Sequence, residues 1–320
     1  MTCLITGGTG FTGSYVVRNL LEAGEKEVIC YQRSGMSELL KELVPEKNLK
    51  AVKIVQGNLA DTLDLFDVIR KHKVDSIIHL AYLLYPYSEI PAVAIRVNVD
   101  ACNNIFEAAR LFGLRRVVWT SSAGVFGRLG DFYGEKVVTE KDVMYRPTRL
   151  YGATKALVQF LGKLHYEKYG TDIICLRLSR TYGIGKLSGS GSEFTDLLER
   201  AALDMPATVR NADDQWAYCY IEDVARAVVK AWQVSSTKTK IFDVGDGAVY
   251  KGRQLAEVIK KVNPKVDIKV EPGMGVYAFP VPDMATSREE LGFVPEFPLE
   301  RGLKEVFNHL RRQKGFPLLP

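Results

Sequence analysis

Cysteine is scarce and unpatterned in this chain. Five occur in 320 residues, Cys3, Cys30, Cys102, Cys175 and Cys219, and no two form a C-x-x-C pair. An odd, scattered set inside apolar segments offers no disulfide framework and describes reduced, buried thiols in a reducing compartment. Long apolar runs are missing as well; none approaches the ~20 residues a membrane-spanning helix requires. With a strand-like run starting at Thr2, no signal or transit peptide is expected, and the G-F-P-L-L-P ending is no lipidation box. The cytoplasm is the expected compartment. Dense Lys/Arg runs are also absent. The net charge of +5 gives weak grounds for a nucleic-acid partner and fits equally well a protein that handles anionic small molecules.

What is present is an ordinary globular balance, 47% hydrophobic and 25% charged residues, in a length that suits one large or two modest domains. Apolar strand-like runs alternate with helix-period segments through the first two-thirds. The strands are expected at Cys3–Thr6, Glu27–Tyr31, Ala51–Val55, Ser76–Leu80, Arg116–Thr120 and Ile173–Leu178. The helices are expected at Ser14–Ala23, Leu63–Lys71, Ala101–Leu111 and Tyr151–Tyr169. Such alternation predicts an α/β fold, a Rossmann-type doubly wound parallel sheet. After Leu178 the rhythm changes. A glycine- and serine-rich stretch, Gly183–Ser192, suits a substrate-side loop or a plain connector. It is followed by a helix at Glu193–Leu203, a strand-then-helix unit at Ala217–Ala231, a strand at Lys240–Val244 and a last helix at Pro298–Arg312. The expected division is a dinucleotide-binding domain over residues 1–178, to which segments around 217–248 return, and a smaller, mainly substrate-binding lobe over 179–320.

The first strand runs straight into T-G-G-T-G-F-T-G, where Gly7, Gly10 and Gly13 stand at G-x-x-G-x-x-G spacing before a helix. A tight turn, close backbone approach to a pyrophosphate and close helix–strand packing all demand glycine there, and the helix N-terminus faces the anion. Glycines alone can mark a turn. Between a strand and a helix they signal dinucleotide binding.

A second pattern is L-Y-G-A-T-K, which puts Tyr151 and Lys155 one helical turn apart on one face. The spacing fits a catalytic pair and equally fits two amphipathic surface side chains. Company decides between them. From the glycine loop onward the chain resembles the extended short-chain dehydrogenase/reductase family, the NAD-dependent epimerases and dehydratases, nearly end to end. Q-G-N-L-A-D resembles its adenine-binding turn, with Asn58 where an acid is usual. H-L-A-Y resembles the turn after strand four, with His79 better read as a packed strand residue than as a ligand. N-V-D-A-C-N-N, T-S-S-A-G-V-F-G and P-T-R-L-Y-G-A-T-K supply the next helix, the serine segment and the Tyr–Lys pair.

The resemblance implies catalysis by Ser122, Tyr151 and Lys155. Tyrosine titrates near pH 10, so a nearby ammonium is expected to lower it for acid–base work, while Ser122 holds the reacting oxygen. It implies a cofactor contact set of Gly7, Gly10, Phe11, Thr12 and Gly13, then Gln32, Arg33 and Ser34, Asn58 and Leu59, Leu80, Ala81 and Tyr82, and Asn98. Tyr151, Lys155, Leu178 and Thr181 complete that set. Leu83, Ala123 and Arg180 fall on the substrate side, and no metal is implied. At the end of strand two Gln32 replaces the acid that an NAD enzyme places against the ribose 2′-hydroxyl, with Arg33 and Ser34 beside it. NADP is therefore favoured over NAD.

Three departures narrow the chemistry. Dehydratases of the family carry an Asp-Glu pair just after the position of Ser122, and the 3,5-epimerising reductases a cysteine; here Ala123 and Gly124 stand there. Simple alcohol–ketone oxidoreduction remains, together with 4-epimerisation of a nucleotide sugar as the alternative. A non-catalytic cofactor-sensing protein is a third reading, against which the Tyr–Lys pair speaks. On the substrate side, Arg180 replaces a family asparagine and Trp216 a diphosphate-binding arginine, while Gly273–Asp283 holds no cation. A small hydroxy or oxo compound is expected rather than a nucleotide-diphosphate sugar. Arg180 suits a carboxylate clamp or a surface salt bridge about equally. The resemblance also implies a homodimer through the helices Ala101–Leu111 and Tyr151–Tyr169. No nucleic-acid or membrane partner is expected.

Overall fold

Strand-forming runs that are apolar on both sides can only be buried on both faces, and here they are. In the computed structural model, which describes residues 2–134, 136–139, 145–186 and 192–320, seven strands form one sheet. They are β1 (Cys3–Thr6), β2 (Val28–Gln32), β3 (Val52–Gln56), β4 (Ser76–His79), β5 (Arg116–Ser122), β6 (Ile173–Leu178) and β7 (Ile241–Val244). Their order is β7-β6-β5-β4-β1-β2-β3 and every pairing is parallel. The order reverses between β1 and β4, which opens a crevice at the carboxyl ends of those two strands.

Helices cover both faces. Against one lie α1 (Phe11–Glu22) and α6 (Ile221–Gln233), whose Val16, Leu20, Val224 and Val228 pack with Cys3 and Ile5. Against the other lie α2 (Thr62–His72), α3 (Ala101–Phe112) and α4 (Leu150–Tyr169), with Ile69, Ile105, Phe106 and Val158 on Leu4, Ile29 and Ile77. All five cysteines are free and buried, as small apolar residues. No helix among the described residues is long and apolar enough to cross a membrane.

Element ends differ from expectation by a few residues. β5 continues two residues further, to Ser122, and a 3-10 turn follows at Ala123–Val125. α1 starts at Phe11 instead of Ser14 because Gly10 already acts as its N-cap. Before α3 the chain is helical from Pro91, with a π-helical stretch at Ile95–Asp100 that no periodicity signals. β7 carries the later half of the chain back to the sheet edge, where Asp243 faces Arg177 in register with Nε–Oδ1 at 3.1 Å.

The remaining C-terminal part holds α5 (Ser192–Ala202), α7 (Gly252–Val262), α8 (Met284–Leu291) and α9 (Leu299–Gln313). Short strands pair there as Ala207–Val209 with Ile268–Val270 and Arg180–Tyr182 with Tyr218–Tyr220. α7, α8 and the first of these pairs lie beyond the sequence expectation. Of the expected loop Gly183–Ser192, residues 187–191 lie outside the described residues.

Candidate active site

The glycine loop closes over the end of β1, with the Gly10 amide donating to the Gly7 carbonyl at 3.0 Å. Gly7 has φ of +70°, and a Cβ there would stand 2.9 Å from the Ala81 nitrogen of the loop after β4. A Cβ on Gly13 would meet the Gly7 oxygen at 2.1 Å, so α1 could not approach the strand. No side chain caps α1, which leaves the first-turn amides of Phe11, Thr12 and Gly13 facing the crevice for an anion. The loop therefore fits a dinucleotide pyrophosphate.

At the end of β2 the Gln32 amide is fully engaged. Its oxygen accepts from the Thr9 amide and hydroxyl at 3.1 and 2.8 Å, and its nitrogen donates to the Ser34 and Gly35 carbonyls at 2.7 and 2.8 Å. Gln32 thus ties the glycine loop to the following turn, leaving exposed Arg33 and Ser34 at its rim. Asn58 likewise builds its own turn: its side chain accepts from the Ala60 amide, while its backbone amide donates to Asp64. Leu59 packs partly buried beside it.

After β4, His79 is a structural residue. It bonds the Thr6 hydroxyl at 2.6 Å and lies 3.1 Å from the Cys102 sulfur, and burial pushes its pKa down to about 3. The Ala81 amide reaches the same threonine, with Leu80 packed beside it. Fully buried Asn98, in the π-helical stretch, clamps the backbone of Leu83 at both its amide (2.7 Å) and its carbonyl (3.1 Å). That geometry fixes the loop that runs along the crevice.

Tyr151 opens α4. Glu89, from the loop after β4, accepts from the amides of Leu150 and Tyr151 at 3.3 and 3.2 Å and so caps the helix from outside. Gly152 packs so closely that a Cβ would lie 2.4 Å from the Gly124 carbonyl, pressing the Tyr151 ring toward the serine segment. The Ser122 hydroxyl accepts from the Gly124 amide at 3.0 Å, and at Gly124 it meets the Tyr151 ring, whose phenol pKa it lowers.

Lys155, 2% exposed, donates to the Thr120 carbonyl at 2.5 Å, and its Nζ sits 3.3 Å from the centroid of the Tyr82 ring. Tyr82 meets Tyr151 edge-on at 5.7 Å and donates to Thr154. Burial outweighs the lowering expected from the lysine, whose Nζ lies 5.9 Å from the centroid of the Tyr151 ring. Burial pushes Tyr151 up to about 12, against the pull of Ser122. Burial also pushes Lys155 down to about 7. The ammonium is turned onto Tyr82 and Thr120, so it does little for the phenol.

On the substrate side, Leu83 is half-buried and Ala123 is buried within the serine segment. Arg180 lies 4.4 Å from the Phe194 ring and 4.1 Å from the Trp216 ring. Trp216 in turn packs on Tyr277 at 4.9 Å and Phe279 at 5.2 Å. Leu178 ends β6, and the Thr181 hydroxyl is held by the Ser179 carbonyl. The sequence singled out neither Glu89 nor Phe194. A lone acid in a loop and one apolar residue of a helix carry no pattern.

Residues 3–245 match the NAD dependent epimerase/dehydratase family. The chain belongs to that family. It is an NAD(P)-dependent enzyme of the extended short-chain dehydrogenase/reductase type. Among curated relatives, UDP-glucuronic acid decarboxylase 3 of Arabidopsis thaliana is 25% identical over 99% of this chain and 91% of its own length. An L-threonine dehydrogenase structure from Phytophthora infestans superposes with a TM-score of 0.83 at 22% identity, covering 97% of this chain and 99% of the other. A Thermus thermophilus UDP-glucose 4-epimerase in complex with NAD gives 0.79 at 23%, with the same two coverages. At these identities the structural likenesses establish the fold.

Proposed function

We propose that this family member interconverts an alcohol and a ketone or aldehyde on a small hydroxy or oxo substrate. The observation that carries the reading is the Tyr151 ring meeting Ser122 at Gly124, one helical turn from buried Lys155. When bound, the nicotinamide cofactor supplies or accepts the hydride. Tyr151 passes the proton to or from the reacting oxygen, and Ser122 hydrogen-bonds that oxygen. The lysine holds positive charge near the phenol once its own environment favours the ammonium. The amides of Phe11, Thr12 and Gly13 would hold the pyrophosphate. A panel of hydroxy and oxo compounds read by nicotinamide absorbance, with Tyr151→Phe as control, tests the proposal. The likeness to UDP-glucose 4-epimerases favours one second reading, 4-epimerisation of a nucleotide sugar, which the same three residues would also serve.

Residues 1–178 with the segments around 217–248 are proposed as the cofactor half, and 179–320 mainly as the substrate half. Homodimer formation through α3 and α4 is proposed from the outward apolar side chains there, with Leu157 43% and Phe160 59% exposed.

NADP is the proposed cofactor form. No carboxylate ends β2, the Gln32 amide is engaged by backbone and Thr9, and Arg33 is free to pair with a 2′-phosphate. NADPH is expected to bind more tightly than NADH, and Arg33→Ala to remove most of the difference. Equal affinities that Arg33→Ala leaves unchanged would contradict the assignment.

A pH consequence follows from Lys155. With its pKa near 7, the amine is roughly one-tenth protonated at pH 8. An anionic dinucleotide favours the ammonium and raises that pKa, so binding at pH 8 takes up protons rather than releasing them. Calorimetry in two buffers of different ionisation enthalpy measures the uptake. Lys155→Met should abolish it, and proton release by the wild-type protein would sink the idea.

A further inference from the structure

We infer that Arg180 and the aromatic cleft around it bind the carboxylate of a small hydroxy or oxo acid. This deepens the oxidoreductase reading and rests on it. Arg180 begins the strand Arg180–Tyr182 and lies against the rings of Phe194 and Trp216. A guanidinium's parallel N–H groups match a planar carboxylate better than a tetrahedral phosphate. Tyr218 is a neutral neighbour lining the same cavity.

Among the described residues Arg180 has no close carboxylate, although Glu193 also lines the cavity. Other arginines on the same cavity of about 470 Å³ are matched, Arg200 by Asp196 at 3.0 Å and Arg210 by Glu271 at 3.7 Å. Asp214 is matched by Arg128 at 3.3 Å. Among the described residues no carboxylate pairs with Arg180; Glu193 acts on it only at longer range. Lys186 is a second cation that Arg180 repels, and burial holds both below their ordinary pKa ranges. A single added negative charge relieves this arrangement. The cavity volume lies within the usual range for small-molecule sites. Tyr277 packs on Trp216 at the same aromatic cluster.

Tryptophan fluorescence reports the site, because Trp119 and Trp232 are sealed in the core at 0% and 1% exposure while Trp216 is partly open. The full-length protein is titrated with 3-hydroxybutanoate, its methyl ester, inorganic phosphate and UDP. The acid is expected to saturate at millimolar concentration, and the ester to bind about ten- to a hundredfold more weakly. Arg180→Gln should weaken the acid by a similar factor at an unchanged unfolding temperature, and Arg180→Lys should keep part of the affinity. Absence of a saturable response to the acid, equal binding of acid and ester, tighter binding of phosphate or UDP, or indifference to both Arg180 variants each overturns the inference. An Arg180 result that overturns the inference while turnover still requires Tyr151 spares the oxidoreductase reading.

Discussion

Tyr151→Phe is expected to fold, to bind cofactor normally and to lose turnover by about 10²- to 10⁴-fold or more, the range that general acid–base catalysis supplies. The ring keeps its edge contact with Tyr82, and Ser122 keeps its bond from the Gly124 amide, so the change removes one hydroxyl and little else. The position is costly for a base, since burial holds the phenol near 12. An ammonium aimed at the phenol is what would bring it down. Lys155→Ala should therefore lose turnover and weaken cofactor binding together. Rates under saturating cofactor, with cofactor dissociation constants measured separately, check both variants. A Tyr151→Phe enzyme with a near-normal rate would remove the assignment.

The second large effect concerns nucleotide sugars. UDP- and GDP-sugars are expected to bind orders of magnitude more weakly than micromolar. Trp216 stands where the resemblance leads one to expect an arginine, and it is packed into an aromatic cluster with Tyr277 and Phe279. The segment from Gly273 to Asp283 brings no cation. It is held in place by backbone bonds, from Gly130 to the Ala278 carbonyl at 2.6 Å and from Phe279 to the Gln215 carbonyl at 2.9 Å. A diphosphate desolvated there lacks two charge-assisted partners of about 1.5–3 kcal/mol each, and each 1.4 kcal/mol is about tenfold. Arg210 does not replace them, being 63% exposed at its side chain and paired with Glu271, and Arg180, 4.1 Å from the Trp216 ring, replaces at most one. Calorimetry with UDP-glucose, and NMR for inversion at C4, make the check. Micromolar binding or observed inversion would establish the epimerase reading instead.

The sequence by itself determined the layered sheet and the cofactor end of the site. Runs such as C-L-I-T and I-I-C-L-R-L are apolar at every position or nearly so, a pattern only a strand covered on both faces can bury. The glycine spacing encodes a turn whose closeness to Ala81 and Gly13 admits no Cβ. The Tyr–Lys spacing encodes one helical turn. Local rules fix these features, so they are legible locally. α7 was legible in principle, since Leu255, Ala256, Ile259 and Val262 are its buried face. The strand pair Ala207–Val209 and Ile268–Val270 was not, because neither three-residue run is a strand without the other. Only the tertiary structure decided where the lysine points. The ring of Tyr82, brought from β4, and the Thr120 carbonyl, brought from β5, draw its ammonium away from the phenol one turn back. It also decided that Gln32 is a tie between two turns, that Glu89 caps α4, and that Arg180 lies among aromatic rings without a carboxylate partner in the described residues. Each depends on segments tens of residues apart meeting at one point, which spacing along a single element does not encode.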